Sequence, residues 1–339
     1  MRILLIGGSG FIGPHVASAL VSRGHDVTVF HRGTTTPPPG TRALIGDRKQ
    51  LADHAADLRA VRPDVVVDLI LSSGAQAQML VDVFRNAASR LVVLSSCDVY
   101  RACGIAHKLE DGPLEPVPLT ESSALRTKLQ TYPAAQIKVI QQVFGWIDDD
   151  YDKIPVERAV ASEPALPATV LRLPMVYGPQ DPLYRFLPIV KRIIDGRRAI
   201  VFSADMAQWR APKGFVVNVA DAIAAAAVDD RAAGRTFNVG EADALTELEW
   251  ARKIAAAMNW DGEFVVLPDD QVPPYLRAVG NPAQHWTTDT SRLRTELGYR
   301  EKVTRDEAVR QTVEWTRRNP PTGFTPHQFD YAAEDALLV

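Results

Sequence analysis

The sequence predicts an α/β fold: a doubly wound, parallel β-sheet with a smaller α/β lobe toward the C-terminus. The first observation is a short apolar run from Arg2 to Ile6, followed by glycines and then by helical spacing of apolar residues from Phe11 to Arg23. The second is a pair of almost continuously apolar runs at residues 65–69 and 91–95. Such runs are typical of strands that are buried on both faces of a parallel sheet.

The composition excludes several classes of protein. The chain has 339 residues, of which 46% are hydrophobic and 23% charged, so it can bury a large core. Its net charge of −3 provides no basic field for nucleic acid, and no apolar run approaches the roughly 20 residues of a membrane span. Cys97 and Cys103 are the two cysteines, and no signal peptide is recognised. We therefore expect a cytoplasmic protein without nucleic-acid or membrane partners.

We divide the chain into three parts. Residues 1–173 are predicted to form a dinucleotide-binding domain, to which elements from about residues 212–240 return. Residues 174–318 are mainly a substrate lobe, and residues 319–339 are a tail. The Pro-rich segment 101–132 is too long for an ordinary connection, so we interpret it as a loop that lines the site. A helix is predicted from about Ile137, with a break before residues 156–161.

The glycine-rich turn after the first strand predicts a dinucleotide site. Gly7 permits a tight reversal, Gly10 lets a pyrophosphate reach backbone N–H groups, and Gly13 lets the helix pack closely on the strand. A second apolar run, at residues 27–30, follows at the spacing of a βαβ unit. Taken alone, the glycines would also fit a plain strand-to-helix turn.

The spacing Gly-x-x-Gly-x-x-Gly resembles the short-chain dehydrogenase/reductase superfamily, in particular its extended NAD(P)-dependent epimerase/dehydratase branch. The resemblance extends over nearly the whole chain. It implies a Rossmann-like sheet, a nicotinamide dinucleotide cofactor and a small-molecule substrate, and it is compatible with a homodimer. It also implies that Phe11, Ile12 and Leu69 contact the cofactor.

The end of the second strand indicates which cofactor is preferred. The chain reads Phe30-His31-Arg32-Gly33, without the carboxylate that usually accepts from the ribose 2′-OH of NAD. Arg32 can bind a 2′-phosphate through charge-assisted hydrogen bonds, and His31 can stack or donate beside it. We therefore expect NADP(H), with NAD(H) as the alternative; Arg32 could otherwise be a solvated arginine over the adenine. The resemblance implies that Asp47 accepts from the adenine amino group, although a turn-capping aspartate fits equally well.

Two segments resemble the family's catalytic motifs. The stretch from Leu94 to Tyr100 matches Ser-Ser-x-x-Val-Tyr, which implies that Ser96 hydrogen-bonds the reacting substrate oxygen; a serine that caps a turn is the alternative. The family's proton-carrying tyrosine stands four residues before a lysine that lowers its pKa and holds the nicotinamide ribose. Here Lys153 matches the lysine, but Tyr151 precedes it by two residues. On an ideal helix these side chains point to roughly opposite faces.

Three interpretations of this spacing are open. Pro155 could make the first helical turn irregular, so that Tyr151 still reaches the site. Asp149, four residues before Lys153, could act as the acid/base instead. Otherwise the chemistry is lost while the nucleotide site persists, and the chain is a catalytically impaired NADP(H)-binding sensor or scaffold.

The C-terminal half carries the substrate positions that the resemblance implies. Pro174 would offer its backbone to the nicotinamide carboxamide, and Met175 stands where a substrate-binding asparagine is frequent. Lys213 matches an arginine that grips the substrate diphosphate, and Arg210 could share that role. The resemblance therefore implies an oxidoreductase that acts by hydride transfer on a sugar nucleotide or a related hydroxyl or carbonyl compound.

Overall fold

The computed structural model describes residues 1–323 and 327–338. Residues 324–326 and 339 of the predicted tail lie outside the described residues. The strands are β1 (Arg2–Ile6), β2 (Asp26–His31), β3 (Arg42–Ile45), β4 (Val65–Asp68), β5 (Arg90–Ser96), β6 (Ala168–Leu173), β7 (Met175–Tyr177), β8 (Ala199–Ser203), β9 (Lys213–Phe215), β10 (Thr236–Asn238) and β11 (Glu263–Leu267).

The helices cover both faces of the sheet and build the C-terminal lobe. They are α1 (Gly13–Ser22), α2 (Ala55–Ala60), α3 (Gly74–Phe84), α4 (Arg101–Ala106), α5 (Ala134–Val143), α6 (Lys153–Ala161), α7 (Leu187–Ile194), α8 (Ala204–Gln208), α9 (Val216–Val228), α10 (Glu247–Ala257), α11 (Ser291–Leu297), α12 (Arg305–Arg318) and α13 (Tyr331–Asp335). Within the described ranges, no helix is long and apolar enough to cross a membrane.

Seven strands form one parallel sheet in the order β10-β6-β5-β4-β1-β2-β3. The strand order changes direction at β1, which lies between β2 and β4, as in doubly wound sheets. The predicted fold class is therefore confirmed. Two further parallel pairs, β7 with β9 and β8 with β11, lie outside this sheet. The division into a dinucleotide domain and a substrate lobe stays a prediction.

β1 illustrates why the central strands are apolar at nearly every position. Ile3 and Leu5 belong to a core that includes residues of α1 and α9, whereas Leu4 and Ile6 belong to a second core with residues of α3 and α6. Burial of an aliphatic side chain of this size stabilises the fold by about 1.5–3 kcal/mol. The double-sided burial fixes β1 at the centre of the sheet and thereby places the turn after it at the carboxyl edge.

The segment 101–132 is more ordered than the sequence predicts. It begins with α4, and the carboxylate of Glu110 then accepts from the backbone N–H groups of Thr127 and Lys128, at 2.5 and 2.9 Å. A second difference concerns the helix expected to resume at residue 156. It begins three residues earlier, at Lys153, because the Asp152 side chain caps it by accepting from the N–H of Ile154 at 2.8 Å.

Candidate active site

A cleft of about 480 Å³ runs along the carboxyl ends of β1 to β4. It lies where the strand order changes direction, which is where open α/β sheets bind ligands. Most of the predicted cofactor residues line it. They are Gly7, Gly10, Phe11, Ile12, Gly13, His31, Arg32, Asp47 and Leu69.

The glycines of the first turn occupy positions that a side chain could not share easily. Gly7 has a φ of +84°, and a Cβ there would lie 2.7 Å from Ile70. A Cβ on Gly13 would lie 2.4 Å from the backbone of Gly8, whereas a Cβ on Gly10 would meet no described atom within 4 Å. Gly10 thus leaves space along the cleft wall, and Gly13 brings α1 close to the turn.

The N-terminus of α1 opens toward this space. Ile12 precedes the helix and supplies no side-chain cap, and Pro14 has no N–H, so the first-turn N–H groups left for a ligand are those of Gly13 and His15. Backbone N–H groups and the helix dipole both favour a phosphate at such a position. Together with the cleft, this uncapped turn fits the pyrophosphate of a dinucleotide.

The end of β2 provides basic and aromatic groups. Arg32 is exposed, and its Nη1 lies 4.0 Å from the position that a Cβ of Gly145 would take across the cleft. His31 is buried, and neither of its ring nitrogens has a hydrogen-bond partner among the described residues. Asp47 caps the following turn by accepting from the N–H of Lys49 at 2.9 Å. The capping interpretation of Asp47 therefore holds, and its carboxylate still lines the cleft.

Arg48 is a cleft residue that the sequence did not single out. It is buried, pairs with Asp68 at 2.9 Å and donates to the carbonyl of Gln76 at 3.0 Å. Its Nη1 has no partner within the part of the chain that the structure describes. The ion pair joins the turn after β3 to the end of β4. It therefore fixes the floor of the cleft beside Asp47.

Tyr151 lies outside α6, because Asp152 is the residue that caps this helix. The helical geometry that would separate Tyr151 from Lys153 therefore does not apply: the Lys153 ammonium lies 5.5 Å from the centroid of the Tyr151 ring. Asp149 is different. Its side chain is 70% exposed and binds Lys138 at 2.7 Å, which argues against the Asp149 interpretation.

The Lys153 side chain lies behind the cleft wall. Its ammonium donates to the carbonyl oxygens of Leu71 and Leu94, the latter at 3.1 Å, and it lies 5.5 Å from the centroid of the Trp146 ring. Trp146 itself lines the cleft. Burial lowers the pKa of Lys153 to about 8, against the opposing effect of the nearby Asp98 charge. The role of Lys153 at the ribose stays a prediction.

Asp98 is the second residue that the sequence analysis missed. It is 2% exposed, its Oδ2 lies 3.5 Å from the Tyr151 hydroxyl, and its Oδ1 has no partner in the described chain. Burial raises the pKa of Asp98 to about 6, although Arg126 and Lys153 favour its charged form. Its place two residues after Ser96, at the carboxyl end of β5, was the signal that could have identified it.

The environment of Tyr151 changes its pKa in the direction opposite to the one expected. The resemblance implies that the lysine lowers the pKa of the tyrosine. In the structure, burial and then the charge of Asp98 raise the pKa of Tyr151 well above its ordinary value. The hydroxyl is therefore protonated near neutral pH and can donate.

Ser96 and Met175 flank this group. Ser96 Oγ caps the turn after β5 by accepting from the N–H of Asp98 at 3.2 Å, and its own O–H can still donate to a substrate oxygen. Met175 is half-buried against a cluster that includes Cys97 and Trp286. Pro174 joins β6 to β7 and precedes this methionine directly. Their contacts with cofactor and substrate stay predictions.

The two predicted diphosphate ligands both reach toward α10. Lys213 is 7% exposed and forms an ion pair with Glu247. Arg210 donates to the carbonyl of Ala244 at 2.6 Å and lies 3.5 Å from Glu249. Each cation thus already has an acidic partner in the first turn of α10.

The chain has the parallel sheet, the glycine turn and the group around Tyr151 described above. Its residues 3–240 match the sequence model of the NAD dependent epimerase/dehydratase family. The chain belongs to this family. In this member of the epimerase/dehydratase family, Tyr151 precedes Lys153 by two residues and lies in the loop before the capped helix.

Several relatives align with nearly the whole length of this chain. The UDP-N-acetyl-alpha-D-glucosaminuronate decarboxylase of Bacillus cytotoxicus is 22% identical, with 93% of this chain and 98% of that protein covered. The dTDP-glucose 4,6-dehydratase of Streptomyces niveus is 25% identical, with 94% of each covered. The crystal structure of dTDP-glucose 4,6-dehydratase from Bacillus anthracis str. Ames, in complex with NAD, matches with a TM-score of 0.65 at 17% identity, covering 94% of this chain and 97% of that one. This structural likeness shows the shared fold.

We expect Asp98→Asn to change the pH dependence of stability. Because the folded-state pKa is raised to about 6, the folded protein binds more protons than the unfolded chain between pH ~4 and ~6. This contribution to stability is present below that interval and is lost as the pH rises through it. The variant should therefore match the wild type near pH ~3.5, below that interval, and exceed it in stability at pH ~7, above it. Urea denaturation at both pH values measures this, and an equal difference at the two values would contradict it.

Proposed function

We propose that this chain is an NADP(H)-dependent oxidoreductase that oxidises or reduces a hydroxyl or carbonyl carbon of a sugar-type substrate. The observation that carries the proposal is one cluster at the carboxyl end of β5. It joins the hydroxyl of Tyr151, the carboxylate of Asp98 at 3.5 Å, and the ammonium of Lys153 at 5.5 Å from the tyrosine ring. Ser96 lies two residues from Asp98 in the same turn. A donor, a proton acceptor and a fixed cation thus lie together beside the cleft.

The residues have separate tasks in this proposal. When bound, the nicotinamide cofactor supplies or accepts a hydride. Ser96 orients the substrate oxygen by donating its O–H, and Tyr151 exchanges a proton with that oxygen. Asp98 can hold the proton that Tyr151 transfers, since its pKa of about 6 lies close to neutral pH. Lys153 holds the Tyr151 ring in place through the contact of its ammonium with that ring, 5.5 Å from the ring centroid.

The preference for NADP(H) rests on the end of β2. Arg32 is exposed at the cleft, Lys49 lines the same wall, and the residues directly after the strand include no carboxylate. A 2′-phosphate carries the charge that these two cations complement, whereas a 2′-hydroxyl would leave them in solvent.

We expect Arg32→Ala to weaken NADP⁺ binding by about tenfold or more while changing NAD⁺ binding little, because charge-assisted hydrogen bonds to the 2′-phosphate are lost. Isothermal titration of both cofactors measures the two affinities. Arg42→Ala is the matched control. Arg42 is exposed and pairs at 2.5 Å with Asp26, and these two residues begin the neighbouring strands β3 and β2. An unchanged ratio of the two affinities in the Arg32 variant would refute the 2′-phosphate contact.

Turnover assays test the reaction itself. Nucleoside-diphosphate sugars are the first substrates, because curated relatives are named for acting on them. Smaller sugars and hydroxy-ketones come next, because Met175 replaces a polar substrate contact and Lys213 already has a carboxylate partner. Formation or consumption of NADPH at 340 nm, or sugar interconversion by NMR, is the positive result. NADP(H) binding without turnover of any of these compounds would favour the sensor or scaffold interpretation.

A further inference from the structure

A second pocket of about 240 Å³ lies in the C-terminal lobe. α7, β8 and α10 surround it, and most of its wall is apolar, including Phe186, Ile200, Phe202, Trp250 and Ile254. In the β7–β9 pair Met175 is the register partner of Lys213, so the strand that carries Met175 runs beside the strand that supplies the lysine of this pocket. A substrate whose reacting carbon lies at Ser96 could therefore extend into this pocket.

Three of the four basic side chains of the pocket are neutralised by carboxylates of the chain itself. The fourth, Arg277, is exposed and donates to the backbone carbonyls of Val272 and Asp270, at 2.8 and 3.3 Å. The Lys213 ammonium forms an ion pair with Glu247, and both side chains line the pocket. Lys213 is 7% exposed, and its ammonium also lies 5.4 Å from the centroid of the Trp250 ring. A carboxylate thus occupies the position from which a phosphate oxygen would have to contact this lysine.

Two arginines in the wall have carboxylate partners as well. Arg192 is 4% exposed and forms a two-point ion pair with Glu334 of α13, with 2.9 Å between Nε and Oε2. Glu334 is 1% exposed and also accepts from the hydroxyl of Tyr275 at 3.1 Å. Arg185 pairs with Asp181 at 2.7 Å. Glu334 of the C-terminal helix α13 thus neutralises Arg192 in one wall of the pocket.

We propose that this pocket receives an uncharged, partly apolar group of the substrate and discriminates against a nucleoside diphosphate, with Glu247 as a specificity-determining residue. The proposal rests on the proposed function, because the pocket matters only if a substrate reacts at Ser96. A diphosphate would have to displace Glu247 from Lys213. That exchange would leave a largely buried carboxylate unpaired beside two or more new negative charges.

UDP and uridine test the discrimination, since they differ only in the diphosphate. With NADP⁺ at saturation, we expect the wild type to bind UDP no more tightly than uridine. Glu247→Gln frees Lys213, so UDP affinity should rise by about tenfold or more while uridine affinity stays the same. Glu314→Gln is the control, because Glu314 pairs with surface arginines of α12. Wild-type protein that binds UDP at least tenfold more tightly than uridine overturns the proposal, as does a Glu247→Gln variant without a gain for UDP.

Benzyl alcohol and benzoate test the occupant, because they share size and ring and differ in charge. Saturation-transfer NMR on the NADP⁺-loaded wild type should give the stronger binding for benzyl alcohol, and Glu247→Gln should reduce or reverse the difference. Stronger binding of benzoate to the wild type overturns the proposal. These outcomes are separate from the proposed function, because NADP⁺ binding is measured first and its absence would refute the cofactor site instead.

Discussion

Replacing Tyr151 with phenylalanine is expected to lower turnover by about 10²–10⁴-fold with NADP(H) affinity unchanged, because only the proton-carrying hydroxyl is removed. The ring remains to fill its half-buried position, so the loss will appear in kcat rather than in folding. Steady-state kinetics and cofactor titration on the same preparation measure the two quantities. The rate loss should persist across the pH range in which Asp98 titrates.

Tyr299→Phe is the matched control for this experiment. The Tyr299 hydroxyl is buried and donates to the carbonyl of Asn218 at 3.0 Å, away from the cluster around Asp98. Its removal should destabilise the fold by about 1 kcal/mol and change kcat within a few fold. Activity of Tyr151→Phe that equals that of Tyr299→Phe would exclude Tyr151 as the proton carrier.

Glu157→Gln is expected to destabilise the folded protein by about 3–5 kcal/mol, the largest stability effect that we predict. The Glu157 carboxylate binds Arg172 through two contacts of 2.7 and 2.9 Å and accepts from Ser95 Oγ at 2.5 Å. Both members of the ion pair are at most 11% exposed. Neutralising Glu157 leaves the Arg172 guanidinium buried beside the Tyr100 hydroxyl without a counter-charge. The midpoint of urea denaturation measures this effect.

Glu163→Gln serves as the comparison for Glu157. Glu163 follows the same helix, and its carboxylate pairs at 2.7 Å with Arg85, whose side chain is 47% exposed against 5% for Arg172. Surface ion pairs of this kind contribute about 0–1 kcal/mol. If the two variants lose the same stability, the buried network around Arg172 does not hold α6 to the sheet as the geometry implies.

The fold was predictable because its determinants are local. Residues 2–6, 65–69 and 91–95 are apolar without alternation, and this pattern by itself indicates strands buried on both faces. α4 was missed for an equally local reason. Gly104 lowers the helical propensity of this segment, although the structure requires a small residue there, because a Cβ would lie 3.1 Å from Cγ of Glu110.

The residues of the candidate site also differ in whether a local sequence pattern predicts them. Gly7, Gly10, Gly13 and Arg32 occur within two short segments, so their spacing, together with the βαβ pattern around them, indicates a nucleotide cleft. The group around Tyr151 depends on contacts between distant segments. Arg126 donates to the carbonyl of Asp98 at 2.6 Å, and no periodicity relates these residues. Helical spacing was also the wrong rule for Tyr151, because the helix starts only after Asp152.

The carboxylate of Asp152 joins two segments that are distant in the sequence. It caps α6, accepts from the N–H of Gln130 at 2.6 Å and pairs with Arg126 at 3.2 Å, so one side chain holds both the start of α6 and the segment before α5. Because Asp152 directly follows Tyr151, the position of Tyr151 depends on residues 126–130 as well as on α6. A displacement of either segment would therefore be transmitted to Tyr151 through this single carboxylate.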